Sequence, residues 1–286
     1  MTFEEKLQST CKLALEKGKE DSACLFLMSE LTEYNTGELY FHQKEEIKPE
    51  IEAKYDEMFN KYINENIPVQ YLTGKAYFYG YQFMVDDNVL IPRPETEQLV
   101  ENILLLYDRN LKGKKVDVVD IGTGSGCIAT TLSLEEKNMN VCATDISKEA
   151  LKVASKNASR LGAHVNFLQG DMLEPVMDKK FDILVSNPPY IPTSENVDPL
   201  VKDNEPNVAL FGGDDGLKFY RIILENSVKI MKDKCIIGFE HGYDKSKEIE
   251  AIAAKFYPDA TIYTLKDYQG LDRMTFVIRG YLHDSR

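Results

Sequence analysis

The stretch VVDIGTGSGCIA, Val118 to Ala129, decides the fold of this 286-residue chain. A β-branched apolar run ends in an acid. Three glycines then alternate with small polar residues before apolar residues resume at helical spacing. This is the pattern of a buried strand, a tight turn and a helix. Glycines at such a turn let the backbone reverse sharply and let a ligand approach it closely. Asp145 follows Gly126 by 19 residues and ends the next strand, NVCATD. An acidic side chain at that place binds both hydroxyls of a ribose. Gly122, Thr123, Gly124, Ser125, Gly126 and Asp145 therefore describe an adenosine-binding site at the carboxyl edge of a parallel sheet.

The surrounding chain alternates in the same way. VDVVDIG, NVCATD, HVNFLQ, FDILVSN, CIIGFE, TIYTL and MTFVIRG read as strands. Helices are expected at Ser125–Leu134, at Lys148–Leu161 with Ser147 as N-cap, near Leu217–Met231 and at Lys245–Phe256. Alternation of this kind predicts an α/β fold with a doubly wound, mostly parallel sheet and helices on both faces. Upstream the texture differs. Phe3, Leu7, Cys11 and Leu15 recur every fourth residue, as do Ile51, Tyr55, Phe59 and Ile63, which predicts three or four packed helices. Between the two lies QYLTGKAYFYGYQFMVDDNVLIPRPETE, an aromatic stretch that reads as a β-hairpin with Gly80 near its turn. Prolines 92 and 94 open a helix from Glu95 to Tyr107. The expected domains are thus a helical unit over 1–68, a β-hairpin linker over 69–94 and an α/β domain over 95–286.

Composition narrows the function classes. Net charge is −13, and residues 1–75 carry 9 Lys+Arg against 15 Asp+Glu. A field of that sign repels a long polyanion, so DNA and large RNA are disfavoured as partners. The acidic helical module is either a docking unit or a structural cap on the α/β domain. Five scattered cysteines without C-x-x-C, and four histidines without H-E-x-x-H, give no metal signature. The first residues, MTFEEKLQSTCK, have no apolar core of a signal peptide, and no apolar run approaches the roughly 20 residues that span a bilayer. A reduced, cytoplasmic, metal-free monomer away from the membrane is expected.

The glycine spacing also selects among adenosine cofactors. The dinucleotide pattern G-x-G-x-x-G fails here, because Cys127 stands where its third glycine belongs. That leaves a nicotinamide dehydrogenase as a distant alternative. G-x-G-x-G after Asp120-Ile121 instead resembles motif I of S-adenosylmethionine-dependent methyltransferases. On that resemblance Asp120 faces the ammonium end of the cofactor, directly or through water. Asp171, after the third strand, accepts from the adenine amino group, and Met172 packs on the ring.

The fourth strand runs into SNPPYIP, Ser186 to Pro192. Proline cannot donate to a ladder, so the strand stops and leaves an amide, stiff backbone and a ring beside the cofactor site. Methyl transfer to a planar NH2 group needs acceptors for its two hydrogens, since a delocalised lone pair attacks poorly until the plane is fixed and developing positive charge is met. The Asn187 side-chain oxygen and the Pro188 carbonyl are placed to accept. Tyr190 stacks on the flat group, and Pro189 stiffens the arrangement. Asn187, Pro188 and Tyr190 are the catalytic candidates, and Asn187 through Tyr190 the substrate-binding ones. NPPY does not choose among glutamine side chains, adenine N6 in DNA and guanine N2 in RNA. A nucleic-acid amino-group methyltransferase is the main alternative, and a non-catalytic module that senses the cofactor is another.

Over nearly its whole length the chain resembles the peptide chain release factor N5-glutamine methyltransferases of the HemK/PrmC type. The resemblance rests on QYLTG (70–74), VLIPRPETE (89–97), DIGTGSGCIA (120–129), SNPPYIP, EPNVALFGGDDGL (205–217) and GLDR (270–273). It implies a helical N-terminal domain, a β-hairpin linker and a Rossmann-like catalytic domain. It also implies transfer of a methyl group from S-adenosyl-L-methionine to the glutamine of the Gly-Gly-Gln motif in bacterial release factors. By match of position, Gly122 to Gly126, Asp145, Met172 and Asn187 would bind the cofactor, and Asn187 to Tyr190 the substrate. Met172 departs from larger aromatic residues in some members, which implies looser adenine packing. Thr96 and Glu97 either close over the methionine end of the cofactor or cap a helix. Glu240, in FEHG, reads as structural, with a cofactor or loop contact as the alternative.

Overall fold

The structure, a computed structural model, describes residues 1–281. The last five residues of the expected α/β domain, 282–286, lie outside the described residues. Backbone contacts divide the chain into two units. The first holds Met1–Lys75 and Val197–Asn204. The second holds Ala76–Asn196 and the chain from Glu205 on.

The first unit is helical: α1 (Phe3–Glu16), α2 (Ser22–Thr32), α3 (Thr36–Phe41), α4 (Pro49–Asn64) and α5 (Val69–Thr73). Thr2 and Glu5 form a capping box on α1, and Asn35 and Glu38 form one on α3, so the first orphan N–H groups of both helices have partners. Phe3, Tyr55, Phe59 and Ile63 of the predicted stripes fill its core with Leu27, Met28 and Tyr62, with Leu7, Cys11 and Ile51 partly buried against it, whereas Leu15 of the first stripe is exposed. A hairpin beginning at Val69 is not observed. Val69–Thr73 is a short helix ended by Gly74 in the left-handed region (φ 70°). The segment 197–204 joins this unit through a four-residue helix, Pro199–Lys202 (α9 in chain order). Leu200 packs on the core, and the Asn204 side chain donates to the Asn66 carbonyl at 2.6 Å. No pattern in the sequence announces that return.

In the second unit, β1 (Lys75–Phe78) and β2 (Tyr81–Met84) form the hairpin, turned at Tyr79 and Gly80. Both turn residues have positive φ (52° and 77°), as a two-residue hairpin loop matching strand twist requires. Phe78 and Phe83 meet edge-on at 6.0 Å and enter the core beside α6 (Pro94–Asn110). The chain then alternates: β3 (Val116–Ile121), α7 (Cys127–Glu135), β4 (Met139–Asp145), α8 (Lys148–Leu161), β5 (Val165–Gln169) and β6 (Phe181–Ser186). It continues with α10 (Asn207–Leu210), α11 (Lys218–Ile230), β7 (Met231–Glu240), α12 (Ser246–Phe256), β8 (Thr261–Lys266) and β9 (Asp272–Arg279). The strands order as β5-β4-β3-β6-β7-β9-β8. The first five are parallel, and β9 runs antiparallel to both neighbours.

A core lies on each face of this sheet. Leu99, Val100 and Ile103 of α6 join Ile128 and Leu132 of α7 on one face. Tyr220, Ile223 and Leu224 of α11 join Ile249 and Ala253 of α12 on the other. The chain winds outward from β3 through β4 to β5, then returns to place β6 on the other side of β3. Strand order reverses there, so the loops after β3 and β6 diverge and leave a crevice at the carboxyl edge.

Candidate active site

The crevice begins with a loop in which three alternate residues take left-handed conformations. Gly122, Gly124 and Gly126 take φ of 73°, 55° and 80°, values open to glycine at little cost. At Gly122 and Gly124 a Cβ would meet nothing within 4 Å, so the loop faces open space. At Gly126 a Cβ would lie 2.9 Å from the Ala154 Cβ, so the third glycine serves the packing of α7 against α8. Asp145 fastens the loop: its Oδ2 accepts from the Gly124 N–H and its Oδ1 from the Ser147 N–H, both at 2.8 Å. Each oxygen keeps a further lone pair. Asn157, buried on α8, donates to the Ser125 carbonyl at 3.0 Å and pairs with both backbone groups of Met84 (2.7 and 2.9 Å). One amide thus ties the glycine loop to the hairpin.

Behind the loop, Asp120 is fully buried. Its Oδ2 accepts from the Thr123 hydroxyl at 2.6 Å, while Oδ1 has no partner among the described residues. Burial pushes its carboxyl up to about 7. A buried acceptor without a donor is expensive unless something supplies one.

The cavity in front measures about 260 Å³. Gly122, Gly124, Asp145, Asp171, Met172, Asn187 and Pro189, all anticipated, line it. Met172 is held at φ 48° with its carbonyl accepting from the Thr144 hydroxyl at 2.8 Å. Thr123, Ser125, Gly126, Pro188 and Tyr190 stand behind or beside this lining. Sequence reasoning missed Ile146, about half exposed next to Asp145, and Leu90, Val208 and Ala209 across the cavity. An exposed isoleucine directly after a strand-ending acid was the available signal for the first. The others lie in segments remote in sequence, inside the motifs VLIPRPETE and EPNVALFGGDDGL, which marked the segments but not these side chains.

Those remote loops are the ones that carry family-specific motifs, and the structure gives each a task. Arg93 of VLIPRPETE forms an ion pair with Glu205 of EPNVALFGGDDGL, and Glu205 also accepts from the Ile91 N–H at 3.3 Å. Burial pushes the Glu205 carboxyl up, and Arg93 opposes that shift. Further along, the Ile191 N–H donates to the Leu210 carbonyl (3.0 Å), and the Gly212 N–H to the Ile191 carbonyl (2.8 Å). A Cβ at Gly212 would lie 2.5 Å from the Pro189 oxygen and 2.9 Å from the Tyr190 Cα. A Cβ at Gly216 would overlap the Tyr190 oxygen. The FGGDDG turn is therefore a close-fitting splint for NPPY. In GLDR, Arg273 pairs with Asp267 (3.0 Å) and donates to the His241 carbonyl (3.3 Å), which makes it a brace beneath the site.

At the end of β6, the Ser186 hydroxyl donates to the Ile121 carbonyl at 2.7 Å, and Asn187 then projects beside the cavity. Its Nδ2 donates to the buried Thr96 hydroxyl at 3.2 Å. Thr96 therefore meets Asn187 at the site. Glu97 goes elsewhere: it accepts from the Tyr79 N–H at 2.8 Å and fixes the hairpin turn. Tyr190 is half-buried, and burial together with the Glu240 carboxylate pushes its phenol up, so the ring is neutral. His241 is buried between the Gly242 carbonyl (2.9 Å) and the Thr275 hydroxyl (2.8 Å). Desolvation lowers its pKa, which leaves a neutral ring held by structure. Burial pushes the Cys127 thiol up to about 12, so it is no nucleophile. No group of three or more His, Cys, Asp or Glu able to hold a metal ion is present among the described residues, and no described helix is long and apolar enough to cross a membrane.

A glycine loop that opens onto a cavity, an acid at the next strand's end and an amide-proline turn beyond the switch point define a methyltransferase. Residues 99–203 match the methyltransferase small domain, and residues 7–74 match the PrmC N-terminal domain. A methyltransferase from Pyrococcus furiosus shares the fold, with a TM-score of 0.52 at 18% identity over 82% of this chain and all of that one. The release factor glutamine methyltransferase of Bacillus anthracis is 39% identical over 96% of this chain and 99% of its own. That of Bacillus subtilis is 43% identical over 95% and 96%. The chain belongs to the family of release factor glutamine methyltransferases.

Proposed function

We propose that this enzyme transfers a methyl group from S-adenosyl-L-methionine to the side-chain nitrogen, N5, of the glutamine in the Gly-Gly-Gln motif of bacterial peptide chain release factors. The observation that carries the chemistry is the Asn187 amide. Its nitrogen is engaged inward by Thr96, so its oxygen is the outward group at the cavity.

The residues present fit the cofactor. Asp145 offers a remaining lone pair on each oxygen to a ribose diol. Gly122 and Gly124 leave room for the chain between ribose and methionine. The partnerless Asp120 Oδ1 is a fitting acceptor for a cation, directly or through water. Met172 and Ile146 supply apolar surface for adenine, and Asp171 an acceptor for its amino group. When bound, the cofactor supplies a sulfonium methyl group as electrophile.

The chain's own part is positioning. A glutamine amide nitrogen attacks poorly because its lone pair is delocalised into the carbonyl. With one N–H directed to the Asn187 oxygen and the other to the Pro188 carbonyl, its plane is fixed and the positive charge that grows on nitrogen meets two acceptors. Removal of one such preorganised partner lowers turnover by about 10²–10³. His241, whose two ring nitrogens are engaged by the Gly242 carbonyl and the Thr275 hydroxyl, and Cys127, held protonated by burial, do not compete for the role of base. The product amide sheds its extra proton to solvent.

The net charge of −13 suits a partner with basic surface and disfavours nucleic acid as substrate. The acidic helical unit is the natural docking face for such a protein, in a cytoplasmic monomer. The test is methyl transfer from labelled S-adenosylmethionine to a purified bacterial release factor, beside the same factor with its Gly-Gly-Gln glutamine changed to alanine. Label on the first alone supports the reading. Label on neither, but on DNA or ribosomal RNA, overturns the substrate.

A further inference from the structure

Glu240 is the residue at the site with the least evident purpose. It ends β7, is 2% exposed, and its Oε2 has no hydrogen-bond partner among the described residues. Register explains its place. Ser186 of β6 pairs with Phe239 of β7, so one step further along both parallel strands come Asn187 and Glu240. Thr96, at the start of α6, accepts from the Asn187 Nδ2 through its hydroxyl at 3.2 Å, and both side chains lie close enough to the Glu240 carboxylate to favour its ionised form. The Tyr220 hydroxyl holds the Glu240 backbone carbonyl at 2.7 Å, so the strand end cannot drift.

A primary amide has two faces of almost equal shape and opposite polarity. To hold a planar NH2, Asn187 must present its oxygen. Packing cannot enforce that choice; polarity must. An ionised carboxylate accepts and cannot donate, so a side chain facing it turns its NH2 inward. We propose that Glu240 is a positioning residue: directly and through Thr96, it holds the Asn187 amide with nitrogen inward and oxygen toward the substrate. This rests on the methyl transfer proposed above.

Protonation would reverse the logic, because a carboxylic acid donates one hydrogen bond and can pair with the Asn187 oxygen instead. Burial pushes the Glu240 carboxyl up to about 7. The charged and titratable groups around it are Glu95 on α6, Arg273 on β9, Tyr190 after β6, Tyr220 on α11 and Cys127 on α7. Arg273 favours the ionised form and Glu95 opposes it. Turnover at saturating cofactor and release factor should therefore rise with pH through the neutral range.

The test is Glu240→Gln, close in shape and uncharged, assayed on the release factor that the wild type methylates. The expected result is a kcat lower by roughly 10-fold to 100-fold, from a charge-assisted hydrogen bond. The pH limb should flatten, and the dissociation constant for S-adenosylmethionine, measured by calorimetry, should change by less than about threefold. Thr96→Val should lower kcat in the same way, and Thr96→Ser, which keeps the hydroxyl, should restore it. Wild-type kcat with an intact pH limb in Glu240→Gln would overturn the proposal. So would a loss seen mainly in cofactor affinity, which would make Glu240 a cofactor ligand. A wild type inactive on release factors would instead strike the reading of the substrate, which separates the two failures.

Discussion

The Asp145 carboxylate spans the turn it is meant to serve: Oδ2 binds the Gly124 N–H and Oδ1 the Ser147 N–H, both at 2.8 Å. It organises the glycine loop before any ligand arrives. Asp145→Ala should therefore raise the cofactor dissociation constant by more than the loss of a ribose contact alone, about 100-fold or more from two charge-assisted bonds. Asp145→Asn keeps one acceptor oxygen and should lose less. Calorimetric titration with S-adenosylmethionine checks both. Equal affinity in the alanine variant and the wild type would contradict the assignment.

Arg93 and Glu205 lock two loops that are 112 residues apart in sequence. Arg93→Ala leaves a buried carboxylate without its cation, which costs about 3 kcal/mol of stability. The Glu205 carboxyl, already raised by burial, would rise further without Arg93. Its raised folded value means that the native state binds the extra proton. The destabilisation should then grow as pH increases from 5 to 8. Urea unfolding of both proteins at the two pH values measures this, and a deficit independent of pH would contradict it.

Asp120 carries a stability signature of its own. Its carboxyl is pushed up to about 7 in the folded protein, against an ordinary value near 3.8. Between those values the unfolded chain is ionised and the native one protonated, so native stability falls as pH rises through that window. Asp120→Asn removes the titration. Without cofactor it should be more stable than the wild type at pH 8, by a few kcal/mol at about 1.4 kcal/mol per pH unit, and show little advantage at pH 4. Thermal and denaturant melts test the sign. In the same variant, cofactor affinity should fall.

Gly212→Ala tests the splint under NPPY. Its new methyl would collide with the Pro189 oxygen and the Tyr190 Cα, both backbone-fixed. The Pro188 carbonyl and Tyr190 ring would move off their aim, and a shift of about 1 Å can cost 100-fold in turnover. Cofactor affinity should change little, because the glycine loop lies on other strands. Turnover equal to the wild type's would show that the turn tolerates the displacement.

Much of this was legible in sequence because local chemistry dictated it. Three left-handed glycines after a buried strand can make one kind of turn. A Pro-Pro pair can only end a ladder, and Asp145 follows the second strand at the spacing a ribose ligand needs. Seven of the anticipated residues line the cavity, Gly122, Gly124, Asp145, Asp171, Met172, Asn187 and Pro189. The hairpin turn at Gly80 and the mostly parallel sheet follow from the same local rules.

Other features depended on partners that sequence distance conceals. Val69–Thr73 read as the start of a hairpin because its residues favour strands. It is a helix whose Val69 is buried in the core of the helical unit. Segment 197–204 falls within the α/β domain expected over 95–286, yet backbone contacts group it with the helical unit. Glu97 seemed equivalent to Thr96, but adjacent positions on a helix point about 100° apart, so one side chain meets Asn187 and the other the hairpin. The sequence by itself determined the backbone shapes and the acceptor groups of the site, since glycine, proline and carboxylate chemistry are properties of single residues. Only the tertiary structure decided that Thr96 and Glu240 stand behind Asn187, because strand register and helix docking bring together side chains that chain order leaves far apart.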